Sequence, residues 1–279
     1  MSQEIVVTGG NGRLGRVTIA HLLEQGYRVR SLDRAGAPAY PDTEGVTNVD
    51  LDMNNLAAFT EAVRGANAII HLAAFPGPWG QPPGVVYANN ITINYNVLYA
   101  ASDLGIKKVA LASSVNAYGG LGSKRGHFDY FPVDEKHPTY NEDDYSLSKW
   151  IGEVTADSFA RRFTDMTISS LRFHALPDAA PVLQTVYETD EAGGARNLWG
   201  WTLIAEAARA ARLAVEANFR GHEIFNIMAP RTTSTIPSVE LAHHAYPNVP
   251  FVREVKGTDS LFDCSKAARL LGWIHADIG

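Results

Sequence analysis

The sequence predicts an α/β fold, a doubly wound parallel sheet with helices on both faces. Three observations carry that expectation. Apolar runs of four or five residues alternate with longer stretches of helical periodicity through the first 172 residues. The first run passes directly into a glycine-rich turn, Thr8-Gly9-Gly10-Asn11-Gly12-Arg13-Leu14-Gly15, which opens a helix. An apolar share of 46% over 279 residues is enough for a sizeable core.

The elements follow in order. Glu4–Val7 reads as a buried strand and Arg13–Gln25 as the helix after it. Arg28–Leu32 is a second strand, Val46–Val49 a short third, and Leu56–Val63 a helix. Ala68–Leu72 is a fourth strand, followed by a long helix over Val86–Leu104. Lys108–Ala112 is a fifth strand. A polar, Gly/Pro-rich excursion leads to a helix over Tyr145–Phe163, then to a sixth strand, Thr167–Leu171. After Arg172 the pattern loosens. Pro177–Trp201 reads as a loop, Leu203–Ala217 as a helix, Glu223–Ile227 as a strand and Pro230–Pro237 as a loop. Ser238–Ala245 and Ser265–Leu271 read as helices. The expected architecture is a Rossmann-type domain over residues 1–172. Residues 173–279 would complete the sheet edge and form a small substrate-binding region.

Composition excludes several classes. A formal net charge of -6 without a long basic run gives no electrostatic reason to expect nucleic acid or anionic lipid. No stretch approaches the length of a membrane span. The single cysteine, Cys264, rules out an internal disulfide and a thiolate metal cage. His127, His137, His243 and His244 have no metal-ligand spacing, and no metal is expected. The chain enters a strand at once after Met-Ser-Gln-Glu, so no cleavable leader and a cytoplasmic location are expected.

In a sheet of this kind, ligands lie beyond the carboxyl ends of the strands. The turn Gly9, Gly10, Asn11, Gly12, Arg13, Leu14, Gly15 would let backbone approach a pyrophosphate at the positive end of a helix. Asp33 ends the second strand, 18 residues after Gly15. A carboxylate there binds both adenosine ribose hydroxyls and repels a 2'-phosphate, which favours NAD over NADP. It can cap a turn at the same time. Arg13 and Arg34 pull the other way, since either could meet a 2'-phosphate, and NADP stays open. Asp52 and Met53 follow the third strand, where an adenine edge would lie. Asp50 is a rival two residues earlier, and solvated or helix-capping carboxylates are the alternative.

Tyr145 and Lys149 stand four apart in Tyr-Ser-Leu-Ser-Lys, one helical turn, so both side chains leave one face. A phenol ionises near pH 10, and a neighbouring ammonium favours the phenolate. The pair therefore reads as a proton-transfer device beside a dinucleotide.

With His71-Leu72-Ala73-Ala74 and Ala112-Ser113-Ser114-Val115-Asn116-Ala117-Tyr118-Gly119, the chain resembles the extended short-chain dehydrogenase/reductase family. Leu171-Arg172-Phe173 and Leu270-Leu271-Gly272-Trp273 are similar to landmarks of that family. The resemblance implies a catalytic group of Ser114, Tyr145 and Lys149, with Lys149 also on the nicotinamide ribose. It implies Leu72, Ala73, Ala74 and Asn90 at the cofactor. It also implies dimerisation through the helices at Val86–Leu104 and Tyr145–Phe163. Relatives that dehydrate nucleotide sugars carry an acidic pair where this chain has Val115 and Asn116, and many nucleotide-sugar enzymes carry an asparagine where this chain has Ala175. Both departures point away from a dehydratase and from a nucleotide-sugar substrate.

The substrate side is less defined. Asn116, His174 and Arg196 are candidates. His174 could bond a hydroxyl or be a packed ring satisfied by backbone. Trp79, Trp199 and Trp201 fall in loops expected to face the cleft. The expected function is an NAD-dependent oxidoreductase moving a hydride to or from a hydroxyl or carbonyl carbon of a small sugar, polyol or sugar acid. A sugar epimerase without net redox change and a dinucleotide-binding regulator are the alternatives.

Overall fold

The computed structural model describes residues 3–36, 38–82, 84–120, 122–124, 126–187 and 193–276. Residues 188–192 of the predicted loop lie outside the described residues. So do the ends of the two expected domains, residues 1–2 and 277–279.

Seven parallel strands form one sheet: β1 (Glu4–Thr8), β2 (Arg28–Asp33), β3 (Val46–Asp50), β4 (Ala68–His71), β5 (Lys108–Ser114), β6 (Thr167–Phe173) and β7 (Gly221–Ile227). Their spatial order is β3-β2-β1-β4-β5-β6-β7. The connecting helices are α1 (Arg13–Glu24), α2 (Leu56–Ala62), α3 (Val85–Asp103), α4 (Asp144–Arg162) and α5 (Ile204–Glu216), with α6 (Ser238–Ala245) and α7 (Ser265–Leu271) after β7. The chain reverses winding direction between β1 and β4, and the crevice above that point is where such a sheet binds ligands.

Both sheet faces are covered, so the central strands are apolar on both sides. Alternate residues serve opposite layers. Ile5, Val7 and Ile70 meet Ile19 and Leu22 of α1 and Ala207 and Ala211 of α5. Val6, Ile69, Val109 and Ile168 meet Val97 and Ala101 of α3 and Ala156 of α4.

Every predicted strand and helix forms. The largest differences are two-residue extensions: β5 and β6 run on through Ser113-Ser114 and Arg172-Phe173, and β7 begins at Gly221. Polar residues hid these extensions from an apolar-run reading. They persist because the polar groups are buried with partners.

The last third of the chain packs on the segment after β5 in a third apolar cluster, with Trp199, Leu241 and Phe262 meeting Tyr118, Phe128 and Phe131. Asn226 at the end of β7 stitches this layer to the sheet. Its Nδ2 donates to the Val133 and Asp263 carbonyls, and its Oδ1 accepts from the Tyr118 hydroxyl at 2.8 Å. Two tryptophans expected at the cleft belong instead to packed interior. Trp199 is 4% exposed, and Trp201 is buried with its Nε1 donating to the Arg231 carbonyl. Aromatic bulk was better spent on closing this layer than on facing solvent. Only Trp79 of the three is exposed.

Candidate active site

The glycine turn is set by close backbone approaches. Gly9 has φ +70°, and a Cβ on it would lie 2.7 Å from the Ala73 nitrogen. A Cβ on Gly15 would lie 2.1 Å from the Gly9 carbonyl oxygen. Both glycines are thus demanded by the chain's own packing. Gly12 differs: a Cβ there would meet only the Gly9 oxygen, at 3.2 Å, and its open side faces the cleft. A side chain at Gly12 would fill a cradle at the positive end of α1.

That cleft has a volume of about 910 Å³. Gly9, Asn11, Gly12, Arg13 and Leu14 form one wall, Asp33 and Arg34 the rim after β2, and Asp52 and Met53 the end after β3; Leu72, Ala73 and Ala74 close it after β4. Asp50, the rival to Asp52, lines it as well. Asp33 accepts from the Asn11 amide at 2.9 Å and from the Arg34 amide at 2.8 Å. It therefore does cap the turn, and each oxygen keeps a lone pair for a ribose hydroxyl. Asp52 accepts from both the backbone and side-chain nitrogens of Asn54, which holds its carboxyl below the usual range. Arg13 reaches across the cleft mouth to the Leu176 carbonyl and to Asp178 at 3.1 Å.

Asn90 is one turn inside α3 and does not line this cleft. Its amide is spent on the Phe75 backbone, accepting at 2.9 Å and donating at 3.2 Å, and it also donates to Ser148 Oγ. It pins the strap after β4 to α4.

The reactive end lies where β5 meets α4. Asp143 caps α4, accepting from the Tyr145 and Ser146 amides, and so fixes the first turn, which carries Tyr145. Ser114 ends β5 and accepts from the Asn116 amide at 3.1 Å, and its hydroxyl acts on the Tyr145 phenol. The Lys149 ammonium is 5.6 Å from the centre of the Tyr145 ring and donates to the Ala112 carbonyl at 2.6 Å. Burial pulls Lys149 down to about 8, with Glu153 opposing the shift. Tyr145 departs from the simple expectation. Burial raises its pKa, and the neighbouring Ser114 hydroxyl is what opposes this. Desolvation of the phenol, with the Asp143 carboxylate adding to it, outweighs the Ser114 hydroxyl.

On the substrate side, Asn116 sits in the short 3-10 turn Val115–Tyr118 after Ser114. Arg196 donates to the Ser123 carbonyl at 3.1 Å. His174 takes the second of its two alternatives. Its Nδ1 accepts from the Ala175 amide at 2.7 Å, so Nε2 carries the proton and donates to the Asn197 carbonyl at 2.9 Å. Neither ring nitrogen is left for a hydroxyl, and burial holds the ring neutral, with a pKa down to about 4.

Sequence reasoning missed the ionic group beneath Lys149. Glu153, four residues on, accepts from Arg172 at 2.8 and 2.7 Å and from Ser113 Oγ at 2.6 Å. Arg172 lies 4.1 Å over the Tyr118 ring. The i, i+4 spacing from Lys149 was a signal that could have found Glu153. Among the described residues no cluster of three or more His, Cys, Asp or Glu could hold a metal, and no helix is long and apolar enough to cross a membrane.

Residues 5–227 match the profile of the NAD dependent epimerase/dehydratase family. The chain belongs to that family. It is an enzyme, and its cofactor is NAD, which the open Gly12 cradle and the Asp33 carboxylate fit. It is 30% identical to an L-arabinose 1-dehydrogenase (NAD(P)(+)) of Haloferax volcanii, over 77% of this chain and 83% of that one. A Synechocystis protein is 31% identical over 60% of this chain, and the match spans 48% of that protein's length. The fold is similar to that of UDP-glucose 4-epimerase from Bifidobacterium longum in complex with NAD+ and UDP, with TM-score 0.73, 20% identity, and 98% and 94% of the two chains covered.

Proposed function

We propose that this protein is an NAD-dependent dehydrogenase acting on a hydroxyl carbon, or the matching carbonyl, of a small aldose, polyol or sugar acid. The observation that carries this reading is the grouping of Ser114, Tyr145 and Lys149 where β5 meets α4, with Lys149 lining a small cavity beside Ala73 and Ala74, which also line the dinucleotide cleft. Gly9, Asn11, Gly12, Arg13 and Leu14 would hold the pyrophosphate, Asp33 the ribose, Asp52 and Met53 the adenine side, and Leu72, Ala73 and Ala74 the wall beside them. Arg34 flanks the ribose, and Asn90 acts through the strap at Phe75. NAD, when bound, supplies the hydride acceptor and a positive ring.

The chain's own residues handle the proton. Ser114 donates to the substrate oxygen and orients it. Tyr145 takes the hydroxyl proton. Lys149 favours the phenolate and reaches the ribose. Positioning of the proton donor and the reacting carbon in one geometry supplies much of the rate. Asn116 and Arg196 are the candidate substrate contacts; Val115 and Asn116 offer no carboxylate for a dehydration step. Residues 1–172 serve the cofactor and residues 173–279 cover the substrate.

A homodimer through α3 and α4 belongs to this reading. Tyr95 and Tyr99 on α3 and Val154 on α4 are 47%, 40% and 43% exposed, an apolar strip on paired helices. A cytoplasmic location fits a single free cysteine, Cys264.

The test is a panel of L-arabinose, D-glucose, D-galacturonate, D-glucuronate and polyols with NAD and with NADP, followed by absorbance. Sustained NADH formation on one of them is expected. A change in sugar configuration without net NADH replaces this reading with an epimerase. NADP preferred over NAD would overturn the role of Asp33.

A further inference from the structure

Behind Lys149, a cavity of about 20 Å³ lies between α4 and the sheet. Lys149, Glu153, Ser113, Asn94 and Ser170 are among its lining residues. A space of this size with several polar partners is a site for one water molecule.

Ser170, on the far wall, leads elsewhere. Its Oγ is 2.8 Å from Nε2 of His222 on β7, and Nδ1 of His222 is 2.7 Å from Asp157 Oδ1 on α4. The His222 side chain is 1% exposed, whereas that of Asp157 is 48% exposed. The acceptor at Asp157 fixes the roles: Nδ1–H donates to Asp157, and Nε2 accepts from the Ser170 hydroxyl. The order resembles that of a nucleophilic serine with its base. However, Ser170 is 1% exposed inside a central strand, and no substrate can reach it. What this geometry can do is pass a proton from the interior to the surface.

We propose that Ser170, His222 and Asp157 form a relay that carries the proton released at Tyr145 and Lys149 to solvent beneath α4, through water held in the cavity. The inference rests on the catalytic reading of Tyr145 and Lys149. One proton enters and one leaves. Lys149 gives a proton to the cavity water, which gives one to Ser170 Oγ. Ser170 passes its own proton to His222 Nε2, and His222 releases the Nδ1 proton to Asp157 and from there to bulk water. No bond other than these N–H and O–H bonds changes.

The charged surroundings fit the direction. At the inner end Glu153 is held by Arg172, and His71 is kept neutral by burial and by Lys149. At the outer end Arg161 and Lys266 both act on Asp157, and Lys266 pairs with Glu223. Asp157 stays a carboxylate at neutral pH, since its hydrogen bond from His222 holds its pKa below the usual range.

Two measurements test the relay. A high-resolution crystal structure should contain a water bonded to both Lys149 Nζ and Ser170 Oγ; a dry cavity, or water bonded to neither, overturns it. His222→Phe, His222→Gln and Asp157→Asn are then assayed with the best sugar of the panel and NAD at low buffer concentration. We expect kcat to fall about tenfold with KM within about twofold, a larger solvent deuterium effect, and recovery on adding imidazole. Parent-like kcat in all three variants from about pH 6 to 9, with Tyr145→Phe inactive, sinks the relay alone. Loss of activity that imidazole does not restore marks a structural role and also overturns it. Full activity in Tyr145→Phe instead removes the catalytic reading beneath it.

Discussion

The dinucleotide cleft and the seam beneath α4 use charge in opposite ways. In the cleft the charged groups are wet. Arg13 and Asp178 pair with side chains 64% and 80% exposed, and such a pair contributes little. In the proposed reading, recognition there rests on backbone, on missing side chains and on the carboxylate of Asp33. In the seam, Glu153 and Arg172 pair with side chains 3% and 2% exposed, beside a buried Lys149. Charges there cannot be relaxed by water, so each depends on its partner. An open surface can bind a cofactor with weak electrostatics, whereas moving a proton requires groups whose ionisation the protein controls.

The largest effect that would break this contrast concerns Tyr145. Tyr145→Phe should lower kcat by about 10²- to 10⁴-fold while NAD affinity, measured by calorimetry, stays at the parent value. A parallel loss of both would make Tyr145 part of binding instead.

Glu153→Ala comes next. It leaves Arg172 buried without its carboxylate and should cost about 3–5 kcal/mol in urea unfolding. Glu153→Ala with Arg172→Met together should cost less than the sum. Additive losses would mean that the pair is not coupled. By contrast, Asp178→Ala in the cleft should change stability by less than about 0.5 kcal/mol.

The pH dependence of stability sharpens the comparison. Burial lowers His174 to about 4 and His71 to about 3. The unfolded chain binds protons at both rings near pH 6.5, while the folded chain does not until pH falls well below that. The contribution of each ring is therefore intact above about pH 6.5 and is lost progressively as pH falls toward 4. His174→Gln should flatten that slope between pH 6.5 and 5, measured by urea titrations. An unchanged slope would mean that His174 is charged in the folded state.

The smallest expected effect on activity is at the ribose carboxylate. Asp33→Ala should shift the NAD to NADP preference by about tenfold or more toward NADP, roughly 1.4 kcal/mol. Its two backbone hydrogen bonds make a modest stability loss of about 1–2 kcal/mol the accompanying signature.

The parts of this protein that sequence alone determined are those governed by local rules. Alternating apolar runs fixed the strands and their order of appearance, because a sheet covered on both faces needs continuous apolar strands. The glycine turn was legible because close backbone approach tolerates no side chain, and Tyr145 and Lys149 because helical spacing puts them on one face. The tertiary structure alone decided what depends on long-range burial. His174 is a backbone-satisfied ring because Asn197 comes to it from 23 residues away. Trp199 and Trp201 are interior because the last third folds over β5–β7. Arg172 could be read as a landmark, but its bond to Glu153, 19 residues distant, could not. A polar residue's role is set by which partners burial brings within hydrogen-bond reach, and that is a property of the packed chain.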